Sequence, residues 1–450
     1  MNHDIVNDYE PDTGIGRTPR LLASNELEQA RWAGRAIDGF AERLAALDPA
    51  DDAAHTDFYR EVLGLPAPAG DFEASELDAI ARALPGTSTP RADIDDLPGR
   101  MAGAWYGRII GNMFGKPIEA DWPRDELTAY LRERDSYPMR DYIIVDDMET
   151  AADNGFPIFA WMPGAELARG RVTRGVRDDD IDYTVLGLHL LEQHGATYTT
   201  VDVARTWLQT LPVFQTYTAE RVAYQNLVRW VPASKAAEID NPYREWIGAL
   251  IRADIFGFVC AGEPRRAALL SHADAYLSHR ADGIYGEMWA AALVASAFTA
   301  PDPRASIEES LRHIPAASRL AREIRTVLAQ HAAGLSWEQA LDALEQRYAG
   351  MHQVHVLNNA GALVAAILWG DGDFASTAGL AAQAGLDADS IGATAGAWAG
   401  AYCGVDGIPA HLIDPLGDRV DSAVFGFADN RISDLVERTL RLRESGGFAN

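Results

Sequence analysis

Two segments of the chain each carry a row of glycines, and this feature restricts the possible fold more than any other. In each row a glycine recurs at every fourth residue: Gly103, Gly107, Gly111 and Gly115 in the first, and Gly392, Gly396, Gly400 and Gly404 in the second. Four-residue spacing places each row on one face of a helix. A glycine inside a helix costs about 1 kcal/mol relative to alanine, so rows of this length need a compensating interaction. We therefore predict two central helices whose backbones approach each other closely.

Apolar residues recur at helical spacing along most of the chain. Residues 24–47 are typical of one amphipathic helix capped by Ser24, and residues 73–84 of a second helix that ends at Pro85 and Gly86. A turn-rich segment follows, so we place a domain boundary near residue 97, with an N-terminal helical extension at 1–96 and a main domain at 97–450. Further helices are predicted at 101–114, 181–194, 200–211, 220–229, 265–277, 285–298, 305–312, 316–332, 337–348, 358–368, 374–384, 390–403 and 432–443. Only short stretches such as 142–145 look extended, and the predicted fold class is all-α.

Composition excludes several classes of protein. The chain has 450 residues, of which 48% are hydrophobic and 23% charged, as in an ordinary globular protein. The 66 acidic and 39 basic residues leave a net charge of −27, which argues against binding to nucleic acid or to anionic membranes. The apolar stretches are too short to span a bilayer, and Arg108 and Asn112 lie within the first glycine row. With only Cys260 and Cys403, and no leader-like N-terminus, we expect a cytoplasmic protein.

Aspartates cluster at two predicted helix starts. Asp178, Asp179 and Asp180, with Asp182 beyond them, precede an apolar helix. Adjacent carboxylates repel one another, and a hard divalent cation would offset that repulsion. A solvated acidic turn is the alternative interpretation.

The second cluster, Asp387, Asp389 and Ser390, precedes the second glycine row. It resembles the beginning of an EF-hand calcium loop, but Trp398 stands where that loop requires glutamate. Alone it would be a capping turn. If the two helix starts face each other, their oxygen ligands could hold two Mg²⁺ or Mn²⁺ ions about 3.5–4 Å apart.

Three sequence blocks, in order, resemble the ADP-ribosylglycohydrolase family, which includes the dinitrogenase-reductase-activating glycohydrolase. GRIIGNMFGKPIE resembles GxxxGDxxGxPxE, DDDIDYTV resembles TDDTxxTL, and DADSIGATAGAWAGAYCG resembles DTDTxxxxxGxxxGAxxG. The resemblance covers roughly residues 97 to 430. It implies an all-α domain with a binuclear metal centre in a cleft, which cleaves an N- or O-glycosidic bond to ADP-ribose.

The resemblance also implies roles for individual residues. Glu119, beside the metals, would orient or deprotonate water, and Asp179 and Asp389 complete the catalytic group. The implied metal ligands are Asp178, Asp179, Asp180, Asp387, Asp389 and Ser390. The expected substrate-binding residues are Asn112, Gly115, His279, Gly283 and His355. Asp178, Ile181 and Ser390 replace family threonines and Asn112 replaces an aspartate, which leaves the substrate open.

Other polar and aromatic groups allow two interpretations each. His355, Asn358 and Asn359 either contact substrate or are buried structural groups. The acidic loop of Asp146, Asp147 and Glu149 either lines the cleft or is solvated. Five aromatic residues either stack on a base or belong to the core, and these are Trp105, Tyr106, Phe156, Phe159 and Trp161.

The leading functional hypothesis is a glycohydrolase that uses two Mg²⁺ or Mn²⁺ ions to bind the ribose hydroxyls of an ADP-ribosyl or ribosyl substrate, either a small molecule or a protein conjugate. Arg108, Lys116, Arg174 and Arg177 could offset the charge of a diphosphate. The alternatives are an N-ribosidase of a small nucleoside-like metabolite, a non-catalytic ADP-ribose-binding protein and a metal-dependent phosphoesterase. The aglycone, the choice of metal, the oligomeric state and the role of residues 1–96 do not follow from the sequence.

Overall fold

The computed structural model describes residues 16–86, 93–119, 122–145 and 164–445. The acidic loop at Asp146, Asp147 and Glu149, and the aromatics Phe156, Phe159 and Trp161, lie outside these ranges. The N-terminal extension contains α1 (Pro19–Trp32), α2 (Phe40–Ala45), α3 (Asp52–Leu63) and α4 (Leu77–Ala83). The first half of the main domain contains α5 (Leu97–Gly115), α6 (Arg124–Glu133), α7 (Asp179–His194), α8 (Thr200–Thr210), α9 (Thr218–Val228), α10 (Asp254–Val259) and α11 (Pro264–Ala275).

The second half of the main domain continues the helical series. It contains α12 (Asp282–Ala297), α13 (Pro303–Ser310), α14 (Arg319–Ala332), α15 (Trp337–Arg347), α16 (Val356–Gly370), α17 (Phe374–Gln383), α18 (Ala388–Cys403), α19 (Ala410–Ile413) and α20 (Ile432–Glu444). Strands β1 (Arg419–Asp421) and β2 (Asp429–Arg431) form an antiparallel pair with Val420 opposite Asn430. The described residues 142–145 form no strand. The all-α prediction is confirmed.

The two glycine-row helices, α5 and α18, pack against each other along their whole length. A Cβ atom added at Gly107 would overlap the carbonyl oxygen of Gly396, and one added at Gly396 would overlap the carbonyl oxygen of Gly107. The neighbouring pairs are Gly103 with Gly400 and Gly111 with Gly392. The pairs run in opposite sequence directions, so the helices are antiparallel and the predicted close approach is confirmed.

The antiparallel pair forms the centre of the main domain. Every residue of α12 is buried, and α12, α16 and α17 all contact α18. Trp105, one of the aromatics of uncertain role, is completely buried and donates a hydrogen bond from Nε1 to Thr439 Oγ1 at 3.1 Å. It is therefore a core residue. Among the described helices, none has both the length and the apolar character needed to cross a bilayer.

The single helix predicted at 24–47 is wrong. Helix α1 begins at Pro19, where Thr18 Oγ1 accepts a hydrogen bond from the Leu21 amide, so the expected cap Ser24 lies inside the helix. The chain then leaves helical geometry at Gly34 (φ 68°) and Gly39 (φ 78°) before α2 starts. A left-handed backbone at two glycines interrupts the helix even though the apolar spacing continues across them.

The helix predicted at 73–84 forms only over its second half, as α4. Residues 72–76 are not helical, and the backbone groups of three of them bind the main domain. Tyr285 Oη donates to the carbonyl oxygen of Ala74, His272 Nε2 lies 2.8 Å from the carbonyl oxygen of Ser75, and the Phe72 amide donates to Ala317. Helices α3, α6, α10 and α19 were not predicted.

The extension has a small core of its own and polar anchors on the main domain. Leu22, Leu27 and Phe58 pack together between α1 and α3. Arg17, which is buried, forms an ion pair with Asp240 at 2.9 Å. The Glu26 side chain is 1% exposed and pairs with Arg244 of the main domain at 2.7 Å. The extension is thus packed against the main domain through buried charges.

We expect Glu26→Ala to lower the free energy of unfolding of the full chain by about 3 kcal/mol, because Arg244 would lose its buried carboxylate partner. Urea unfolding measured by circular dichroism tests this. Glu61→Ala is the matched control: Glu61 also pairs with an arginine, Arg43, but both side chains are about half exposed, so little change is expected. Equal effects of the two substitutions would contradict a role for Glu26 as an anchor.

Candidate functional site

The first aspartate cluster lies at the start of α7. Asp178 is the N-cap residue, and its Oδ1 accepts a hydrogen bond from the Asp180 amide at 3.0 Å. Both carboxylates are buried. Arg108 of α5 donates to the Asp180 carbonyl at 2.8 Å and pairs with the buried Asp254 of α10. These contacts join α5, α7 and α10 next to the cluster.

The second cluster lies at the start of α18, next to the end of α5. A Cβ atom at Gly115 would overlap the Ala388 carbonyl, so the last glycine of the first row lets this segment approach. Leu386, which precedes Asp387, has φ 63°. A non-glycine residue in this left-handed region is strained, and the surrounding structure must hold it there. Asn359 of α16 contributes, because its Oδ1 accepts a hydrogen bond from the Asp387 amide at 3.1 Å.

The two helix starts face each other. Ser390 Oγ, at the start of α18, donates a hydrogen bond to Asp180 Oδ2, at the start of α7, at 3.2 Å. One group of carboxylates has its oxygen atoms within 4.8 Å of one another and consists of Asp178, Asp180 and Asp389. A second group with the same spacing consists of Glu119, Asp387 and Asp389. Asp389 belongs to both groups. Oxygen donors at this density fit Mg²⁺ or Mn²⁺, which prefer carboxylate ligands.

Burial and repulsion from neighbouring carboxylates raise the pKa values of Glu119, Asp179, Asp180 and Asp387. The pKa values of Glu119, Asp180 and Asp387 lie well above their usual range, first because of burial and then because of the charge of Asp389. The pKa of Asp179 is raised to about 6, mainly by burial, although Arg177 and Lys116 act in the opposite direction. A cation bound among these groups would stabilise their ionised forms.

Asp179 and Glu119, which the resemblance implies as a metal ligand and a water-orienting residue, differ in their position relative to the two carboxylate groups. Asp179 belongs to neither three-carboxylate group, although the resemblance implies that it is a ligand. Glu119, implied as a water-orienting residue, lies in the second group and also lines a surface pocket of about 220 Å³. Trp122, Arg124 and Leu386 line the same pocket. The second group therefore adjoins an accessible cavity.

The four cations proposed to offset a diphosphate each have a carboxylate partner in the structure. Lys116 forms an ion pair with Asp178. Arg177 pairs with Asp182 at 2.6 Å, which places Asp182 in a structural contact beside the cluster. The other two pairs are Arg108 with Asp254 and Arg174 with Asp421.

The five expected substrate residues occupy two regions. Asn112 and Gly115 lie beside the carboxylates, where Asn112 Nδ2 is 3.5 Å from Asp180 Oδ2. His279 is completely buried, with Nδ1 2.8 Å from Ser278 Oγ and 3.9 Å from Glu220 Oε1. Gly283 packs on the Arg244 carbonyl.

His355, the fifth of these residues, is the N-cap of α16, where Nδ1 accepts a hydrogen bond from the Leu357 amide at 3.2 Å. Burial is the main reason that the pKa of His355 falls to about 3, and the charges of Arg319 and His352 lower it further. The folded protein therefore holds this imidazole neutral at pH values where the unfolded chain protonates it.

The pKa of His355 is about 3 in the folded protein and 6.5 in the unfolded chain. Neutral His355 therefore contributes to the stability of the folded protein above pH 6.5, and this contribution is lost as the pH falls from 6.5 toward 3. We therefore expect His355→Asn, which can still cap the helix, to lose about 2 kcal/mol less stability than the wild type between pH 7 and pH 5. Urea unfolding at the two pH values measures this. His411→Asn, at an imidazole that is 61% exposed, should behave like the wild type. A wild-type-like pH response of the His355 variant would contradict the prediction.

Sequence reasoning missed several residues that organise the site. Arg252 is buried among three carboxylates, with Glu220 and Asp274 at 2.5 Å and Glu287 at 3.5 Å. Asp254, the partner of Arg108, was also missed. Arg252 and Asp254 lie two residues apart in one apolar stretch, but their partners are 22 or more positions away in the sequence, so no local spacing indicates these pairs. Gly385 and Leu386 both have positive φ, and the strain at Leu386 was not predicted from the sequence.

An all-α fold in which two helix starts bring buried carboxylates together defines a class of candidate metal-binding proteins. The family model described as ADP-ribosylglycohydrolase matches residues 93–446, and the chain belongs to this family. A solved structure titled "ADP-ribosylglycohydrolase-related protein complex" is 18% identical, with 78% of this chain and 98% of that chain covered and a TM-score of 0.49. The comparison with curated proteins found no match.

Proposed function

We propose that this protein is a divalent-cation-dependent glycohydrolase that cleaves the bond between a ribose and its aglycone in an ADP-ribosyl conjugate. The observation that carries the proposal is the pair of three-carboxylate groups that share Asp389. Membership in the ADP-ribosylglycohydrolase family supports the substrate class.

Asp178 and Asp180 at the start of α7, and Asp387 and Asp389 at the start of α18, would hold the cations together with Glu119. Bound divalent cations would supply Lewis-acid stabilisation to the ribose hydroxyls and make a water molecule more acidic. Ser390 holds Asp180 by its hydrogen bond, and Asp179 lies next to the ligands on α7. The site needs these fixed positions because the anomeric carbon must lie within reach of the water.

Glu119 lies at the boundary between the carboxylates and the pocket lined by Trp122. We propose that Glu119 orients the attacking water. The hydroxyl of that water forms the new bond to the anomeric carbon, the glycosidic bond breaks, and the released proton goes to the leaving nitrogen or oxygen. The products are ADP-ribose and the free aglycone.

The test uses the full chain, stripped with a chelator and reloaded with Mn²⁺ or Mg²⁺. We expect ADP-ribose release from ADP-ribosyl-arginine or from an O-linked ADP-ribosyl conjugate, and none without a divalent cation. Turnover of free nucleosides alone would favour an N-ribosidase, and release of phosphate would favour a phosphoesterase. Binding of ADP-ribose with no hydrolysis of any conjugate would contradict the enzymatic proposal.

A further inference from the structure

A buried lysine lies inside the carboxylate site. Lys116 follows the last residue of α5 and begins a short 3₁₀ turn, Lys116–Ile118. Its side chain is 7% exposed and forms an ion pair with Asp178 Oδ2, on a carboxylate that is completely buried. Asp178 has no other hydrogen bond at Oδ2 among the described residues. The ammonium is thus the partner of this oxygen.

Among the described residues, the ammonium forms an ion pair with one of the two carboxylate groups. Asp178 belongs to the group that it forms with Asp180 and Asp389. In the other group, no lysine or arginine in the described part of the chain forms an ion pair with Glu119, Asp387 or Asp389. The two groups therefore differ: one already contains a cation that belongs to the protein, and the other does not.

A lysine ammonium is a compact cation on a flexible four-carbon stem. It can neutralise a carboxylate as a metal ion does, and it can also move away when a stronger cation binds. A divalent ion that uses Asp178 Oδ2 as a ligand cannot share that oxygen with the ammonium in its present position. An ion at this position must therefore displace Lys116, and otherwise it must bind elsewhere.

We propose that Lys116 competes with one of the two divalent cations, so that the ions bind in order and with different affinities. This inference rests on the proposed function. The Glu119, Asp387 and Asp389 group binds the first ion, and the Asp178, Asp180 and Asp389 group binds the second only when the Lys116 ammonium leaves Asp178. Lys116 is thus a residue that sets metal occupancy.

The experiment titrates the chelator-stripped full chain with Mn²⁺ and measures free Mn²⁺ by electron paramagnetic resonance. We expect the wild type to bind one ion tightly and a second at least roughly tenfold more weakly. Lys116→Met keeps the apolar stem but removes the charge, and should strengthen the second site by roughly tenfold or more while the first changes little. Arg174→Met is the matched control, because it removes a cation that lies four residues before Asp178 in the sequence and pairs with Asp421, not with a site carboxylate of the described chain.

Two equal, tight sites in the wild type would overturn the proposal even if Lys116→Met did not fold. An unchanged second site in a folded Lys116→Met variant, or an equal gain in Arg174→Met, would overturn it as well. These results leave the proposed function intact if the conjugate is still hydrolysed. Absence of any Mn²⁺ binding to the wild type would instead refute the metal site, and the proposed function with it. Mn²⁺ should also raise the unfolding temperature more in Lys116→Met than in the wild type.

Discussion

Asp389→Ala abolishes both metal binding and hydrolysis, and has the largest effect on activity that we expect. Asp389 is the one carboxylate common to both groups, so its loss removes a ligand from each. We expect hydrolysis of an ADP-ribosyl conjugate to fall by roughly a thousandfold or more, equivalent to about 4 kcal/mol of transition-state stabilisation. Metal analysis of the purified variant and the rate of ADP-ribose release measure the two effects.

The stability of the same variant separates function from folding. The charge of Asp389 raises the pKa values of Glu119, Asp180 and Asp387, so it repels these groups in the metal-free protein. Without metal, the variant should therefore unfold at the same temperature as the wild type or at a higher one. Mn²⁺ should stabilise only the wild type.

Asp182→Asn is the control for Asp389→Ala. Asp182 is buried on the same helix start as the first cluster, but it pairs with Arg177 and accepts the Ala423 amide. The asparagine has one side-chain oxygen and can accept only one of these two hydrogen bonds, but neither Arg177 nor Ala423 belongs to a carboxylate group, so we expect its metal content to be unchanged. An Asp389→Ala protein that is metal-loaded and active would refute the site.

The sequence predicts some parts of this site because their geometry is local. Glycines four residues apart define a helix face without any knowledge of the partner, so the contact between α5 and α18 could be predicted. Aspartates before an apolar helix indicate a helix start in the same way. Gly115 packs on Ala388 at one end of the contact between the two glycine rows, so the second cluster lies next to the end of α5.

Other features depend on contacts between distant residues. The pairing of Arg108 with Asp254 joins residues 146 positions apart, and no local spacing encodes it. Residues 73–76 were predicted as part of a helix, but they are not helical, and Ala74 and Ser75 instead make tertiary contacts to Tyr285 and His272 through their carbonyl oxygens. The position of Glu119 among the ligands likewise depends on the meeting of α5 with α18.

Gly107→Ala should destabilise the protein by about 3 kcal/mol or more, the largest effect on folding that we expect. In an isolated helix the same substitution would stabilise by about 1 kcal/mol. Here the new methyl group would overlap the backbone of Gly396, and backbone atoms cannot move aside as a flexible side chain can. The sign of the change in unfolding free energy therefore tests the close approach directly.

Gly86→Ala is the control for this substitution, because no atom of the described residues lies within 4 Å of a Cβ atom added at Gly86. Its unfolding free energy should stay equal to that of the wild type or rise slightly. Gly107→Ala should also weaken Mn²⁺ binding at temperatures where it remains folded, since α18 carries Asp389 and a displaced α18 separates the ligand groups. If Gly107→Ala proved as stable as the Gly86→Ala control, the close packing of the two glycine rows would not be the contact that holds α5 and α18 together.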